Sequence, residues 1–136
     1  MKIYHYQGRI YYEQDNFQGA RECFIKVLEI AEPLKLTRAI YLNQKWLADL
    51  AIKENTHLNE VEKFRKLLKE CLFMADENLD ESFLAHCRAS MANFEQASEN
   101  FDEAKEWGEL AYEDFKRLGM FVDQEEMKLL LESMES

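Results

Sequence analysis

Proline occurs once and glycine four times in 136 residues, so the chain has few of the residues that force turns or end helices. β-Branched residues are sparse while Ala, Leu, Glu and Lys dominate, a composition that favours helix over sheet. No apolar run approaches the roughly 20 residues that a membrane-spanning helix needs. The opening MKIYHYQGRI lacks the apolar centre of a secretory leader. Cysteine is limited to Cys23, Cys71 and Cys87, an odd and widely spaced set. That speaks against a disulfide framework and predicts buried, unpaired thiols in a reducing, cytoplasmic setting. Positive charge is also short: 17 Lys and Arg face 27 Asp and Glu, for a net charge of −10. The densest basic stretch, EKFRKLLKE, alternates Lys63, Arg65, Lys66 and Lys69 with apolar residues and reads as a solvated helix face. Direct binding to nucleic acid or to an anionic membrane is therefore not expected.

Motifs that carry chemistry are missing as well. There is no C-x-x-C, H-x-x-x-H, phosphate loop or dinucleotide fingerprint. His86 and Cys87 are adjacent, but neighbouring residues on a helix point about 100° apart and cannot easily chelate one ion. Ser90 follows His86 by one helical turn, yet no Asp is placed to orient that histidine and no Gly-rich turn offers an oxyanion hole. Carboxylates such as those of DENLDE, residues 76–81, read as solvating charges or helix caps. The sequence thus predicts no catalytic residue, no metal and no cofactor. Its length suits about one domain, with a core that needs no disulfide or metal staple.

What the chain does have is helical periodicity. Ala20, Phe24, Val27, Leu28 and Ala31 recur at helical spacing with charged residues between them. Val61, Phe64, Leu68, Cys71, Leu72 and Ala75 repeat the pattern, as do Ala104, Trp107, Gly108, Ala111, Phe115 and Leu118. Helices are expected at about 2–14, 17–32, 37–54, 58–77, 80–98, 101–118 and 123–135. Pro33 and Gly119 supply stops. Asp80 and Asp123 are candidate N-caps. The short connections make neighbouring helices antiparallel.

One signature recurs. DNFQGA at 15–20 matches ENFDEA at 99–104, with HLNEV at 57–61 as a weaker copy. In each, an apolar residue (Phe17, Leu58, Phe101) opens the second helix of a pair, and a smaller one (Ala20, Val61, Ala104) lets the two helices approach. A helical hairpin used three times implies a stacked array.

These residues resemble the tetratricopeptide repeat. Tyr4, Gly8, Tyr11, Phe17, Ala20 and Phe24 stand at its large, small and aromatic positions, and the third unit keeps Ala92, Phe101, Ala104 and Ala111. The second unit is degenerate, with Leu47, Ala48, Ala51 and Val61 and a one-residue insertion near Asn55. The resemblance implies an all-α, right-handed helical-repeat solenoid in a single domain, 1–136. It would hold three hairpins, about 1–36, 37–79 and 80–119, plus a capping helix over 123–135. There Met127, Leu130, Leu131 and Met134 would cover the last hairpin, while Asp123, Gln124, Glu125, Lys128 and Glu132 face water. The interval from Ala20 to Val61 to Ala104 is 41 and then 43 residues, against 34 in the family. Longer helices of this kind are similar to sensor regions of bacterial regulators.

The resemblance also implies a function: a non-enzymatic scaffold binding a protein or peptide segment in a concave groove. Carried over residue by residue, the groove would be lined by His5, Tyr6, Arg9 and Tyr12, then Lys45, Trp46, Asp49 and Ile52, then His86, Ala89, Asn93 and Gln96. Aromatic residues and Arg among amides are the usual makeup of a binding surface. The family's clamp for a chaperone's terminal carboxylate is absent, because its positions hold His5, Arg9, Trp46, His86 and Ser90. Two alternatives stand beside this reading. One is a ligand- or peptide-sensing regulatory region of a larger bacterial signalling or transcription-regulating protein; the other is a small helical enzyme or effector. The first helix has no polar-backed cap before it. This leads to the expectation that the chain derives from a longer protein, or that this helix is covered by a partner, including a second copy of itself.

Overall fold

The computed structural model describes residues 1–135, and all of them except Met1, Met134 and Glu135 at the ends lie in a helix or in a short connection between helices. Seven α-helices follow in order: α1 (Lys2–Glu13), α2 (Phe17–Ala31), α3 (Thr37–Glu54), α4 (Val61–Glu77), α5 (Glu81–Ala97), α6 (Phe101–Leu118) and α7 (Phe121–Ser133). A 3-10 turn, His57–Glu60, precedes α4. The all-helical repeat architecture expected from the sequence is what forms. The helices divide into two compact units, Met1–Glu60 and Val61 onward. In the first, α1 packs on α2 and α2 on α3; in the second, α4 packs on α5, α5 on α6 and α6 on α7.

One turn design joins the helices. Asp15, Lys35, Asn55, Leu79, Glu99 and Gly119 each adopt a left-handed backbone, with φ between 53° and 72°. The next residue's N–H reaches back five positions, as from Asn16 to the Tyr11 carbonyl (2.9 Å), Asp80 to Ala75 (3.0 Å) and Met120 to Phe115 (2.8 Å). The left-handed residue's own N–H reaches back three, as from Asp15 to Tyr12 (3.2 Å). The same two bonds recur at Lys35, Asn55, Leu79, Glu99 and Gly119. These are Schellman caps, which satisfy carbonyls that a helix C-terminus would otherwise leave bare. At five of the six turns, the residue after the left-handed one is at once the N-cap of the next α-helix: Asn16, Leu36, Asp80, Asn100 and Met120. Asn16 Oδ1 accepts from the Gly19 N–H at 3.0 Å and Asp80 Oδ1 from the Phe83 N–H at 3.2 Å. The caps fall at 15, 35 and 55, and again at 79, 99 and 119, so each helix with its turn is a module of 20 residues. The interval from 55 to 79 is four longer, and the four-residue 3-10 turn fills it.

This spacing corrects three details of the sequence reading. The insertion near Asn55 is the whole turn His57–Glu60 rather than one residue. Counted back from the caps, Phe64 and not Val61 occupies in α4 the place of Ala20 in α2 and Ala104 in α6. Asp123 does not cap α7: the helix starts two residues earlier, at Phe121, with Met120 as N-cap. Asp123 lies in its first turn, where a negative charge favours the positive end of the helix dipole.

Small residues set the close approaches. Ala20 and Ala104 are fully buried. A Cβ on Gly8 of α1 would stand 2.7 Å from Phe24 Cε1 on α2, inside van der Waals contact. The core of the first unit gathers Ala20, Phe24 and Leu50, with Tyr11, Phe17 and Leu47 packed around them. In the second unit Ala85, Ala92, Ala111, Phe115 and Met127 form the core. Gly108 opens the space that Leu131 of α7 fills, since a Cβ there would lie 2.9 Å from Leu131 Cδ2. Cys71 and Cys87 are buried and outside any disulfide, as expected; Cys23, in α2, is only half-buried.

Arg65 also departs from the solvated face expected for its stretch. Its Nη2 donates to Glu95 Oε1 at 2.9 Å and its Nε to Glu95 Oε2 at 3.2 Å, tying α4 to α5. Glu95 is fully buried. Burial works to raise its carboxyl, but the hydrogen bonds with Arg65, Glu103 and Asn100 prevail and hold it below its usual value. The hydrogen bond to Glu95 in turn raises the Arg65 guanidinium.

Candidate functional site

In the first unit, α1 and α3 bring six of the expected groove residues together around Trp46. Its indole stacks on Phe24 (ring centroids 5.8 Å apart, planes at 24°) and takes the edge of Tyr12 at 5.1 Å and of His5 at 6.4 Å. Two cations lie against the same indole: Arg9 with Cζ 5.2 Å from the ring centroid, and Lys45 with Nζ 4.6 Å from it. Such contacts are worth about 0.5–2 kcal/mol, more as the pair loses water. Lys45 is buried and pairs with Asp49 one turn on, at 2.7 Å. Its charge is therefore spent inside the cluster, whereas Arg9 is exposed and its guanidinium rests on Trp46. A planar fork with free donors over an aromatic ring suits a partner's carboxylate or amide.

The sequence reading passed over Asn43, which is buried in α3 and fixes His5. Asn43 Nδ2 donates to the Ala39 carbonyl at 2.8 Å, which turns its Oδ1 toward His5 Nδ1 at 2.9 Å. With Oδ1 as the acceptor, the His5 proton sits on Nδ1. Burial pulls the imidazole below its ordinary pKa; the bond to Asn43 opposes this, while Arg9, Lys45 and Arg38 reinforce it. The available signal was an amide one turn before Leu47 on a helix face otherwise occupied by core residues.

The far end of α1 is tied to α3 as well. Lys53 Nζ donates to the Tyr12 carbonyl at 2.5 Å, pairs with Asp15 at 3.1 Å and lies 4.1 Å from the Tyr12 ring centroid. Arg21 of α2 pairs with Glu54 of α3. A positive side chain at the carbonyl end of α1 is the favourable sign for the helix dipole. These ties hold Tyr12 and Trp46 at a fixed separation.

Residues 1–33 match the family model described as tetratricopeptide repeat. The first hairpin is a tetratricopeptide repeat. The match covers α1, its Schellman turn and α2, with Gly8, Ala20 and Phe24 at the crossing. Tetratricopeptide repeats serve as scaffolds for protein–protein contact, and the Trp46 cluster sits where α3 follows the matched repeat. No curated protein and no solved structure matches the chain.

The remaining expected residues are dispersed. Tyr6 meets the edge of His5 at 5.7 Å and is exposed on the outer side of α1. Asn93 is half-buried on α5 in the second unit, where His86 lies edge-on to Phe115 at 5.2 Å and Ser90 is buried. Among the described residues no group of three His, Cys, Asp or Glu is placed to hold a metal ion, and no helix is long and apolar enough to cross a membrane.

Proposed function

We propose that the chain is a non-enzymatic scaffold that holds an extended protein segment against the first unit, across His5, Arg9, Tyr12 and Trp46. The observation that carries this reading is the Arg9 guanidinium, exposed and braced on Trp46, in a chain of net charge −10. Arg, Tyr and Trp in a partly buried cluster are the residues that most often dominate interface energy. A mildly acidic or neutral segment with apolar side chains as the occupant belongs to the same proposal. A second reading is a regulatory region of a larger bacterial signalling protein. The 20-residue module favours it, since two modules exceed the 34 residues usual for one repeat.

Selection from a random peptide display library on the full chain tests the proposal. Enriched peptides should carry Asp or Glu next to an apolar residue, and Arg9→Ala should weaken their binding at least about tenfold, as for a hot spot. Arg9 is exposed, so helical content should not change. Peptides that bind the Arg9→Ala, Tyr12→Ala and Trp46→Ala proteins as well as the parent would sink the assignment.

A further inference from the structure

Two helix faces carry apolar side chains with no protein against them. On α1, Ile3, Tyr6 and Ile10 are 77%, 56% and 57% exposed, on the side turned away from Gly8. On α7, Val122 and Leu129 are 76% and 57% exposed, on the side turned away from the buried Met127. The sequence reading gave α7 a polar back; the structure interrupts that back with these two residues and Phe121. Ile3 and Ile10 are seven residues apart, as are Val122 and Leu129, so each pair forms a stripe two turns long, on the order of 10 Å.

The rims of the two stripes differ in sign. Lys2 and Arg9 flank the α1 stripe, with Glu13 at its end. Glu125, Glu126 and Glu132 flank the α7 stripe, with Lys128 as its cation. An α7 face set on its own copy would put acid against acid, and an α1 face set on its own copy would bring Arg9 toward Arg9. Only α1 against α7 matches apolar stripe with apolar stripe and positive rim with negative rim.

We propose that the outer face of α1 docks on the outer face of α7 in a second copy of this chain. Each chain offers one of each face, so the contact is heterologous and adds subunits in a row unless it closes into a ring. One helix pair covers less than the roughly 1,200 Å² of a stable complex, so assembly depends on protein concentration in the micromolar range or above. The inference shares Arg9 with the Trp46 cluster, but its variants leave Arg9 and the rest of that cluster untouched.

The test is mass against concentration by sedimentation equilibrium on the full chain. The parent protein should grow beyond a monomer with concentration, into a row or into a closed ring of two or more subunits. Ile10→Asp, which blocks α1, and Leu129→Lys, which blocks α7, should each be monomeric alone, and a mixture of the two should form a one-to-one dimer and nothing larger. Both side chains are exposed, and circular dichroism checks that helicity is kept. Glu125→Lys with Glu132→Lys should weaken assembly at least about fivefold, although it reduces the chain's net negative charge and would on general grounds favour association. A monomeric parent overturns the proposal. Self-association of the Leu129→Lys protein alone overturns it in favour of α1 on α1; that of the Ile10→Asp protein alone, in favour of α7 on α7. Charge reversal that strengthens assembly removes the electrostatic argument and overturns it too.

Discussion

Gly8 shows how narrowly the first hairpin is fitted. Phe24 is fully buried, so its ring cannot swing clear of a methyl group placed 2.7 Å away. Gly8→Ala should cost about 1–3 kcal/mol by overpacking, despite the better helix propensity of Ala, and should lower the thermal midpoint. Half-buried His5 and fully buried Glu95 make their own forecasts. His5 has its pKa depressed below 6.5 by burial, so the unfolded chain takes up its proton at higher pH than the folded one. Its contribution to stability is present above 6.5 and is lost as pH falls from there through the folded value. Thermal midpoints measured from pH 7 to 5 should fall, and His5→Gln should flatten that slope. Glu95 is also held below its ordinary value, so its contribution is present above about 4.5 and lost on further acidification. Glu95→Gln leaves Arg65 with only Glu62, an exposed partner, and should cost about 3 kcal/mol in urea melts at pH 7. A loss near zero would show that Arg65 re-solvates without penalty.

The helices were legible in the sequence because their buried stripes repeat at helical spacing, and Ala20 with Ala104 marked the crossings. The turns were not. Glycine is the usual signal for a left-handed cap, and here only Gly119 carries it; Asp15, Lys35, Asn55, Leu79 and Glu99 occupy the same backbone position without that sign. The Val61 register slipped for the same reason, because the caps that fix Phe64 in that place cannot be seen in composition. The Trp46 cluster was half legible. Its aromatic and basic members came from the family pattern, while Asn43 and the inward turn of Lys45 depend on what α1 lays over α3. Residues other than Gly in the left-handed region carry a penalty of about 1–2 kcal/mol, partly offset by the flexibility that Gly loses on folding. Leu79→Gly should therefore stabilise by about 0.5–1 kcal/mol, since Leu79 is exposed and forfeits no packing. Asn55→Gly should be near neutral, because Asn tolerates this conformation. Chemical denaturation of the pair checks both signs.

At the scale of the whole molecule, the connection between the units is the one place where the backbone leaves the 20-residue pattern. Leu58, Asn59 and Glu60 are exposed within a single 3-10 turn, whereas the glutamates at other junctions sit in α-helices or Schellman caps. A glutamate-specific protease should make its first cut after Glu60, releasing fragments at the boundary of the two units; a first cut inside a helix would contradict this. The shared residue in the turns has a further effect. At five turns the residue completing one helix's cap opens the next α-helix, so these connections contain no slack to absorb a change in length. Sequence length therefore acts as a phase angle. Deleting one residue between Ala20 and Ala31 would rotate the rest of α2 by about 100° and carry Phe24 or Val27 from core to solvent, while a four-residue change rotates it by only about 40°. The extra four residues after Thr56 are close to one whole helical turn. A library of insertions and deletions would thus be expected to obey a step size, with survivors clustered at multiples of a turn and losses at one and two residues.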